Sequence, residues 1–150
     1  MHFTIQRISE IVFRDISALG SAFFFWLLTF ILFTLGFVRE AFLSALFFVV
    51  VYLLVACIRL LYFKERPVKE SHRTLFEKID ASSFPSVHAA RAVFLALVLH
   101  TLFSRHLFFS VLLFAVALLI CISRVVLRKH DVVDIIVGAV VGAVFFLLLF

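Results

Sequence analysis

The sequence predicts an all-α protein, a polytopic membrane helix bundle of five transmembrane helices preceded by an interfacial amphipathic helix. Of its 150 residues, 65% are hydrophobic and only 15% are charged, which leaves too few polar side chains to cover a soluble domain. Five apolar runs each approach the roughly 20 helical residues that cross a bilayer core. The runs do not alternate polar and apolar residues, which argues against a transmembrane β-barrel.

The five apolar runs define the predicted spans and make residues 1–150 a single membrane-embedded domain. They cover about residues 18–38, 41–63, 84–103, 107–127 and 132–150. Only Arg39 and Glu40 separate the first two runs, so we expect a tight hairpin there. The loop 64–83 is the one substantial connection, and we expect it to carry a short helix around residues 74–79.

The first 17 residues differ from the spans. Apolar residues recur at steps of three or four between charged ones: Ile5, Ile8, Val12 and Ile16. This pattern predicts a helix that lies in the membrane interface. Charges interrupt any apolar core of a signal peptide, so cleavage is not expected.

The charge distribution indicates a multi-pass protein of the cell membrane and bears on its orientation. Net charge is +5, and Arg39 and Arg105 alone among the lysines and arginines fall on the face opposite the long loop. The positive-inside rule then favours a cytoplasmic position for the loop face. No aromatic and basic platform stands apart from the apolar runs, so nucleic acid is not an expected partner. Cys57 and Cys121 lie in apolar runs and predict neither a disulfide nor a metal site.

Three arginines fall within predicted spans, near their ends: Arg59, Arg91 and Arg124. An arginine at the centre of a membrane helix costs about 2.5–3.5 kcal/mol on insertion scales, so each needs a function or a partner. For Arg91 we expect a structural ion pair with Asp131 or Asp134.

Three short segments on the loop face carry most of the polar chemistry. In the first, Arg59 and Arg66 are seven residues apart, about two helical turns, and should share one helix face up to Pro67. In the second, Pro85-Ser86-Val87-His88 predicts a helix start with Pro85 in the first turn and backbone N–H groups that bind an anion.

The third segment runs from Ser123 to Asp134. His130 and Asp134 are four residues apart, so the carboxylate can accept a hydrogen bond from the imidazole on one helix face. Together the segments predict a site for a phosphate group, because guanidinium forks match phosphate oxygens. Two histidines can divide a phosphoryl transfer between a nucleophile and an acid, without a metal or other cofactor.

These segments resemble the three-part signature of the type 2 phosphatidic acid phosphatase superfamily, which vanadium haloperoxidases share: K-x6-RP, PSGH and SR-x5-H-x3-D. The third part is present without a mismatch. Val87 stands in place of the glycine of the second part, and Arg59 in place of the lysine of the first. We expect the Val87 side chain to lie beside the phosphate.

The resemblance implies a metal-independent lipid phosphatase and assigns roles to individual residues. His130 would be the nucleophile, Asp134 would orient it, and His88 would be the general acid. Phosphate oxygens would be held by Arg59, Arg66, Ser86, the backbone of Val87, and Arg124. The substrate would be a membrane lipid phosphate: phosphatidate, phosphatidylglycerol phosphate or a polyprenyl diphosphate.

Two alternatives stay open from the sequence: a catalytically weakened relative that binds or moves lipid phosphates, and a lipid phosphotransferase. The sequence leaves the oligomeric state open. Gly138 and Gly142 form G-x-x-x-G, which we expect to allow close packing against another span of the same chain. The remaining histidines are expected at the surface or the interface: His2, His72, His100 and His106.

Overall fold

The computed structural model describes residues 2–68, 74–103 and 107–150. Within that part of the chain the secondary structure is entirely helical, which confirms the all-α prediction. The helices are α1 His2–Ala18, α2 Ala22–Thr34, α3 Val38–Leu61, α4 Leu75–Ala81, α5 Val87–Phe103, α6 Leu107–Val126 and α7 Val132–Leu149. Predictions that concern His72, Arg105 and His106 lie outside the described residues.

Several apolar helices make this a multi-pass membrane protein, but the predicted count of five spans is not reached on length and composition. Among the described residues, α3, α6 and α7 are long and apolar enough to cross a bilayer. Residues 7–18 and α2 together would count as a fourth, broken span with a bend of 41°. Helix α5 is apolar but has 17 residues. The first apolar run, residues 18–38, contains only the 13-residue helix α2, because a turn occupies residues 19–21 near its beginning.

The hairpin between α2 and α3 forms earlier than predicted. Gly36 has φ of 89°, a left-handed conformation that glycine adopts without a steric penalty. Helix α3 begins at Val38, so Arg39 and Glu40 lie in its first turn instead of forming the hairpin. A carboxylate is favoured there because the helix dipole is positive at its N-terminal end.

The short helix predicted in the long loop is confirmed as α4. Thr74 caps it by accepting a hydrogen bond from the Glu77 N–H at 3.2 Å, and the Glu77 carboxylate accepts one from the Thr74 N–H at 3.3 Å. This reciprocal capping satisfies two backbone donors at the start of the helix.

The interior of the bundle is built around α5, which contacts α3, α6 and α7. The rings of Phe47 and Phe94 stack with centroids 3.8 Å apart, and Phe25 packs on both. All three rings are almost completely buried. This aromatic cluster fixes α3 and α2 against the helix that carries His88.

Helix α7 packs closely on α5 through Gly138 and Gly142. A Cβ added at Gly138 would lie 2.3 Å from the carbonyl oxygen of Ser86, and one at Gly142 would lie 2.3 Å from that of Ala90. The prediction that these glycines allow close packing within one chain is confirmed. The same contact brings the start of α7 against the start of α5.

Candidate active site

The first signature segment is not one continuous helix. Helix α3 ends at Leu61, and Tyr62 is extended, with φ of −135° and ψ of 96°. Arg59 therefore lies in the last turn of α3, whereas Arg66 lies in the following loop. The prediction that both share a helix face up to Pro67 is wrong, because the chain leaves the helix before it reaches the proline.

The guanidinium of Arg59 holds the backbone that leads into α5. It is 8% exposed and donates to the carbonyl oxygens of Ile79 at 3.0 Å, Pro85 at 3.2 Å and Phe84 at 3.4 Å. Three carbonyl oxygens, one from α4 and two from the segment before α5, thus accept hydrogen bonds from one planar guanidinium. A direct contact between Arg59 and a phosphate would require some of these bonds to break.

The second signature segment forms the start of α5. The helix begins at Val87, so Pro85 precedes the helix instead of lying in its first turn. Ser86 is buried in the capping position, where its Oγ accepts from the Ala89 N–H at 3.4 Å. The N–H groups of Val87 and His88 have no intrahelical acceptor because they are the first residues of the helix. An anion can be bound at this end.

The Val87 side chain packs in the core of the bundle. The residue is 8% exposed and belongs to the same apolar cluster as Val51, Val55 and Phe94. The first turn of α5 directs this side chain into the core, and its position relative to a bound phosphate stays a prediction.

The third signature segment brings His130 and Asp134 together at the junction of α6 and α7. His130 precedes α7 and does not share a helix face with Asp134, because Asp131 is the cap of α7. The Nδ1 of His130 nevertheless lies 3.6 Å from Oδ2 of Asp134, and both residues are buried. This is longer than a hydrogen bond, and Nδ1 is a buried nitrogen for which the structure records no hydrogen-bond partner.

Lys64 binds the same carboxylate from the other side. Its Nζ lies 2.7 Å from Oδ1 of Asp134 and 2.5 Å from Oδ2 of Asp131. Partial burial works against the charge of Lys64, but the hydrogen bonds to Asp131 and Asp134 outweigh it and raise the pKa of this amine. The bond from Lys64 also lowers the pKa of Asp131.

Arg91 pairs with Tyr52 and His88, and the expected ion pair with Asp131 or Asp134 is absent from the described contacts because Lys64 occupies those carboxylates. One Arg91 amine donates to the Tyr52 hydroxyl at 3.3 Å, and the other lies 3.4 Å from Nδ1 of His88. A guanidinium only donates, so Nδ1 of His88 accepts and a neutral ring carries its proton on Nε2.

The remaining arginines of the signature complete the cluster. Arg124 donates to the Ser17 hydroxyl of α1 at 2.8 Å, and Arg66 donates to the Asp80 carbonyl oxygen. The charges of Arg124 and Arg66, together with His130, act electrostatically on His88. The three signature segments meet at the start of α5, because Arg59 donates to the Pro85 carbonyl oxygen and the Ser86 N–H donates to the Asp134 carbonyl oxygen at 3.0 Å. Burial and the charge of Arg124 lower the pKa of His130, which favours the neutral form that a nucleophile requires.

Comparison with known proteins identifies the family. The family model described as the PAP2 superfamily matches residues 61–150. The chain belongs to the PAP2 superfamily. The match contains the PSVH and SR-x5-H-x3-D segments and Arg66, and it begins two residues after Arg59.

A solved structure supports the same conclusion over nearly the whole chain. The crystal structure of Aquifex aeolicus LpxE aligns with a TM-score of 0.76 and 25% sequence identity, covering 95% of this chain and 85% of that one. The comparison with curated proteins found no match. PAP2 membership and the likeness to LpxE together support a lipid phosphatase.

Sequence reasoning missed several residues of this site: Lys64, Tyr52 and Ser17. Lys64 directly follows an apolar run and offered a weak signal, since a cation there can reach a carboxylate on a neighbouring span. Tyr52 and Ser17 offered none, because their contacts join α3 to α5 and α1 to α6. His100, expected at the surface or interface, is partly buried and pairs with Ser110 at 2.9 Å between α5 and α6.

Proposed function

We propose that this PAP2 protein hydrolyses a phosphomonoester or diphosphate on a membrane lipid through a phosphohistidine on His130. The observation that carries the proposal is the contact between the start of α5, which bears His88, and the start of α7. The Ser86 N–H donates to the Asp134 carbonyl oxygen at 3.0 Å, and Nδ1 of His130 lies 3.6 Å from Oδ2 of Asp134. The site needs no bound metal in this scheme, because arginines and helix N–H groups stabilise the phosphoryl charge.

In the first step Nε2 of His130 attacks phosphorus, and the bond from phosphorus to the leaving oxygen breaks. His88 first takes up the proton of a monoanionic phosphate, with Nδ1 released from Arg91. It then gives its Nε2 proton to that oxygen and becomes neutral, so the lipid leaves as an alcohol or a phosphate. Asp134 directs the Nδ1 proton of His130 toward itself, and the ring gives up its hydrogen bond with the backbone of Ser83 so that Nε2 can attack. The 3.6 Å separation in the substrate-free site then shortens as positive charge develops on His130.

In the second step water attacks the phosphohistidine. His88, now neutral, takes a proton from the water, the bond from phosphorus to nitrogen breaks, and inorganic phosphate leaves. The acid of the first step thus serves as the base of the second.

Phosphate oxygens are bound, in this proposal, by Arg66, Arg124, the Ser86 hydroxyl and the first N–H groups of α5. Arg59 contributes indirectly, since its donors already hold the carbonyls before α5. This differs from the direct contact that the resemblance implies for Arg59.

A groove in the apolar part of the bundle supports a lipid as the substrate. It has a volume of about 230 Å³ and lies among Phe24 and Leu28 of α2, Ala92 and Ala96 of α5, and Ala117 of α6. Ala92 and Ala96 are four and eight residues after His88, so they lie below it on the same face of α5. A hydrocarbon chain attached to the oxygen that His88 protonates can occupy this groove.

The weakened-relative alternative loses its physical reason, because the Val87 side chain packs in the core. A phosphotransferase remains the second candidate on chemical grounds, since an alcohol can replace water in the second step. It would be recognised by phosphate transfer that depends on an added acceptor.

The test is phosphate release in EDTA by the purified protein from phosphatidate, phosphatidylglycerol phosphate and a polyprenyl diphosphate. His130→Ala is the blank. Release that survives EDTA and falls by about 10³-fold or more in the variant supports the mechanism. Turnover retained in His130→Ala would sink it. His100→Ala serves as a matched control, because it removes a histidine from α5 outside the site.

A further inference from the structure

A cavity outside the proposed active site lies between α1 and the end of α6. Its volume is about 820 Å³, within the roughly 300–1,000 Å³ of small-molecule sites. Helix α1 forms one wall, and the end of α6 and Val68 form the others. The charged residues of the lining are Arg7, Glu10, Arg14 and Arg128, so the cavity carries an excess of positive charge.

The arginines of this cavity are free to bind an anion. Among the described residues, the structure records no ion pair or side-chain hydrogen bond for Arg7, Arg14 or Arg128. Arg7 and Arg14 are seven residues apart on α1, so they share one face and their Cα atoms lie about 10 Å apart along the axis. Two guanidiniums at that separation can hold one phosphate-bearing head group between them.

The amphipathic sequence of α1 favours a position in the membrane interface, which is the depth of lipid head groups. Ile8 lies about 100° and Val12 about 140° around the helix from Arg7, and both are about half exposed. An amphipathic helix buries such an apolar side in the interface of the bilayer. The arginine side then faces the cavity at the level of the head groups.

The backbone of Arg128 provides an independent observation. Arg128 has φ of 53°, a left-handed conformation that is unfavourable for a residue with a Cβ. In this turn the carbonyl oxygen of Arg124 accepts from the N–H groups of both Lys129 and His130. The turn thereby directs Arg128 to the cavity and His130 to the catalytic cluster. Strain of this kind persists where the surrounding structure requires it, and it is concentrated at functional sites.

We propose that this cavity binds a phosphate-bearing lipid head group, distinct from the phosphate that is cleaved. Ser17, one turn along α1 from Arg14, accepts the hydrogen bond from Arg124, so the cavity and the catalytic cluster share α1 as a wall. The head group comes either from the substrate itself, as a second phosphate, or from a neighbouring anionic phospholipid. The kinetic part of the inference rests on the proposed function, but the binding part does not.

The kinetic test compares phosphatidate with phosphatidylglycerol phosphate of the same acyl chains in a neutral detergent. The variant is Arg7→Gln/Arg14→Gln/Arg128→Gly, and Arg39→Gln on the opposite face is the control. If the second phosphate of the substrate occupies the cavity, kcat/KM for phosphatidylglycerol phosphate falls about 10-fold or more. The value for phosphatidate then stays within about twofold of the parent.

The second source of the head group gives a different pattern. If a neighbouring phospholipid occupies the cavity, adding phosphatidylglycerol to the micelles raises kcat/KM for phosphatidate in the parent protein but not in the triple variant. Equal behaviour of the parent and the variant with both substrates and with added phosphatidylglycerol would overturn the inference.

The binding test uses His130→Ala protein, so it does not depend on turnover. Native mass spectrometry would count phosphatidylglycerol molecules retained with and without the three arginine substitutions. We expect one fewer bound lipid in the variant, and unchanged retention would overturn the inference. The single substitution Arg128→Gly removes the backbone strain, so its melting temperature should not fall, which separates lost binding from lost folding.

Discussion

The ammonium of Lys64 and the carboxylate of Asp134 are 2.7 Å apart, with His130 on the far side of the same carboxylate. Lys64 thus balances the negative charge that faces the His130 ring. Asp134 is fully buried, and a buried carboxylate that loses one partner interacts more strongly with those that remain.

Replacing Lys64 with Met is expected to move the pH dependence of activity. His130 attacks only when neutral, and burial together with Arg124 holds its pKa below the usual value. Activity of the parent therefore persists as the pH falls below about 6.5, the ordinary pKa of histidine. In Lys64→Met the unbalanced Asp134 favours the charged imidazolium, so the acid limb of kcat/KM moves to higher pH.

The measurement is kcat/KM against pH for the parent and for Lys64→Met. Lys78→Met, which removes a lysine of α4, is the control and should leave the acid limb in place. A lower plateau with an unmoved limb would show that Lys64 does not act through the charge of Asp134.

Arg59 is expected to be irreplaceable by the lysine that stands in the family signature. A single ammonium cannot reach the three carbonyls of Ile79, Phe84 and Pro85, because it lacks the planar fork. We expect Arg59→Lys to lower the free energy of unfolding by about 2 kcal/mol, the value of a buried hydrogen bond from a charged group. Activity should fall with it, because the segment before α5 loses its support.

Thermal melting in detergent and kcat/KM on the same preparations test this role, with the exposed Arg39→Lys as the control. Activity of Arg59→Lys equal to or above that of the parent would instead favour direct phosphate binding at this position.

Arg91 is expected to act by holding the ring of His88. In the substrate-free site its donation to Nδ1 fixes the ring orientation that turns Nε2 toward the site. In Arg91→Gln we expect about a 10-fold or greater loss of kcat with an alkyl phosphate, whose leaving oxygen needs a proton. An aryl phosphate such as p-nitrophenyl phosphate leaves without one and should lose much less.

The ratio of these two activities is the readout, because a loss of folded protein lowers both equally. Tyr52→Phe removes only the second partner of Arg91 and should change the ratio in the same direction by less. An unchanged ratio in Arg91→Gln would exclude the positioning role.

The glycines of α7 are expected to differ in their effect on activity. Alanine at Gly138 or Gly142 brings a methyl group against a backbone carbonyl, and such overpacking costs about 1–3 kcal/mol at either position. Gly138 contacts Ser86 itself, whereas Gly142 contacts Ala90 one turn deeper. We therefore expect Gly138→Ala to lose more kcat/KM than Gly142→Ala at a similar melting temperature.

The control is Val140→Ala, because Val140 lies on the exposed side of α7. It shows how far a substitution on the exposed side of α7 changes activity in detergent. Equal losses of activity in the two glycine variants would show that the α5–α7 contact supports the fold without specifically supporting the phosphate site.

Local patterns in the sequence were enough to predict much of this protein. Apolar runs predict helices because a bilayer requires every backbone group to be paired within its own segment. The capping pattern at Thr74, the order of the three signature segments and the small residues of α7 are likewise local. The same patterns predict helix ends that are wrong by several residues, at Leu61 and around Gly36, because an apolar run does not encode where the backbone turns.

The partners of the charged side chains were decided only by the tertiary structure. Arg59 binds carbonyls, Arg91 binds His88 and Tyr52, and the Val87 side chain enters the core. Each of these outcomes depends on which helices pack against one another and at what depth, and a spacing of residues along the chain does not encode that. The sequence determined which groups the candidate site contains, whereas the packing of α5 against α3, α6 and α7 determined which of them contact one another.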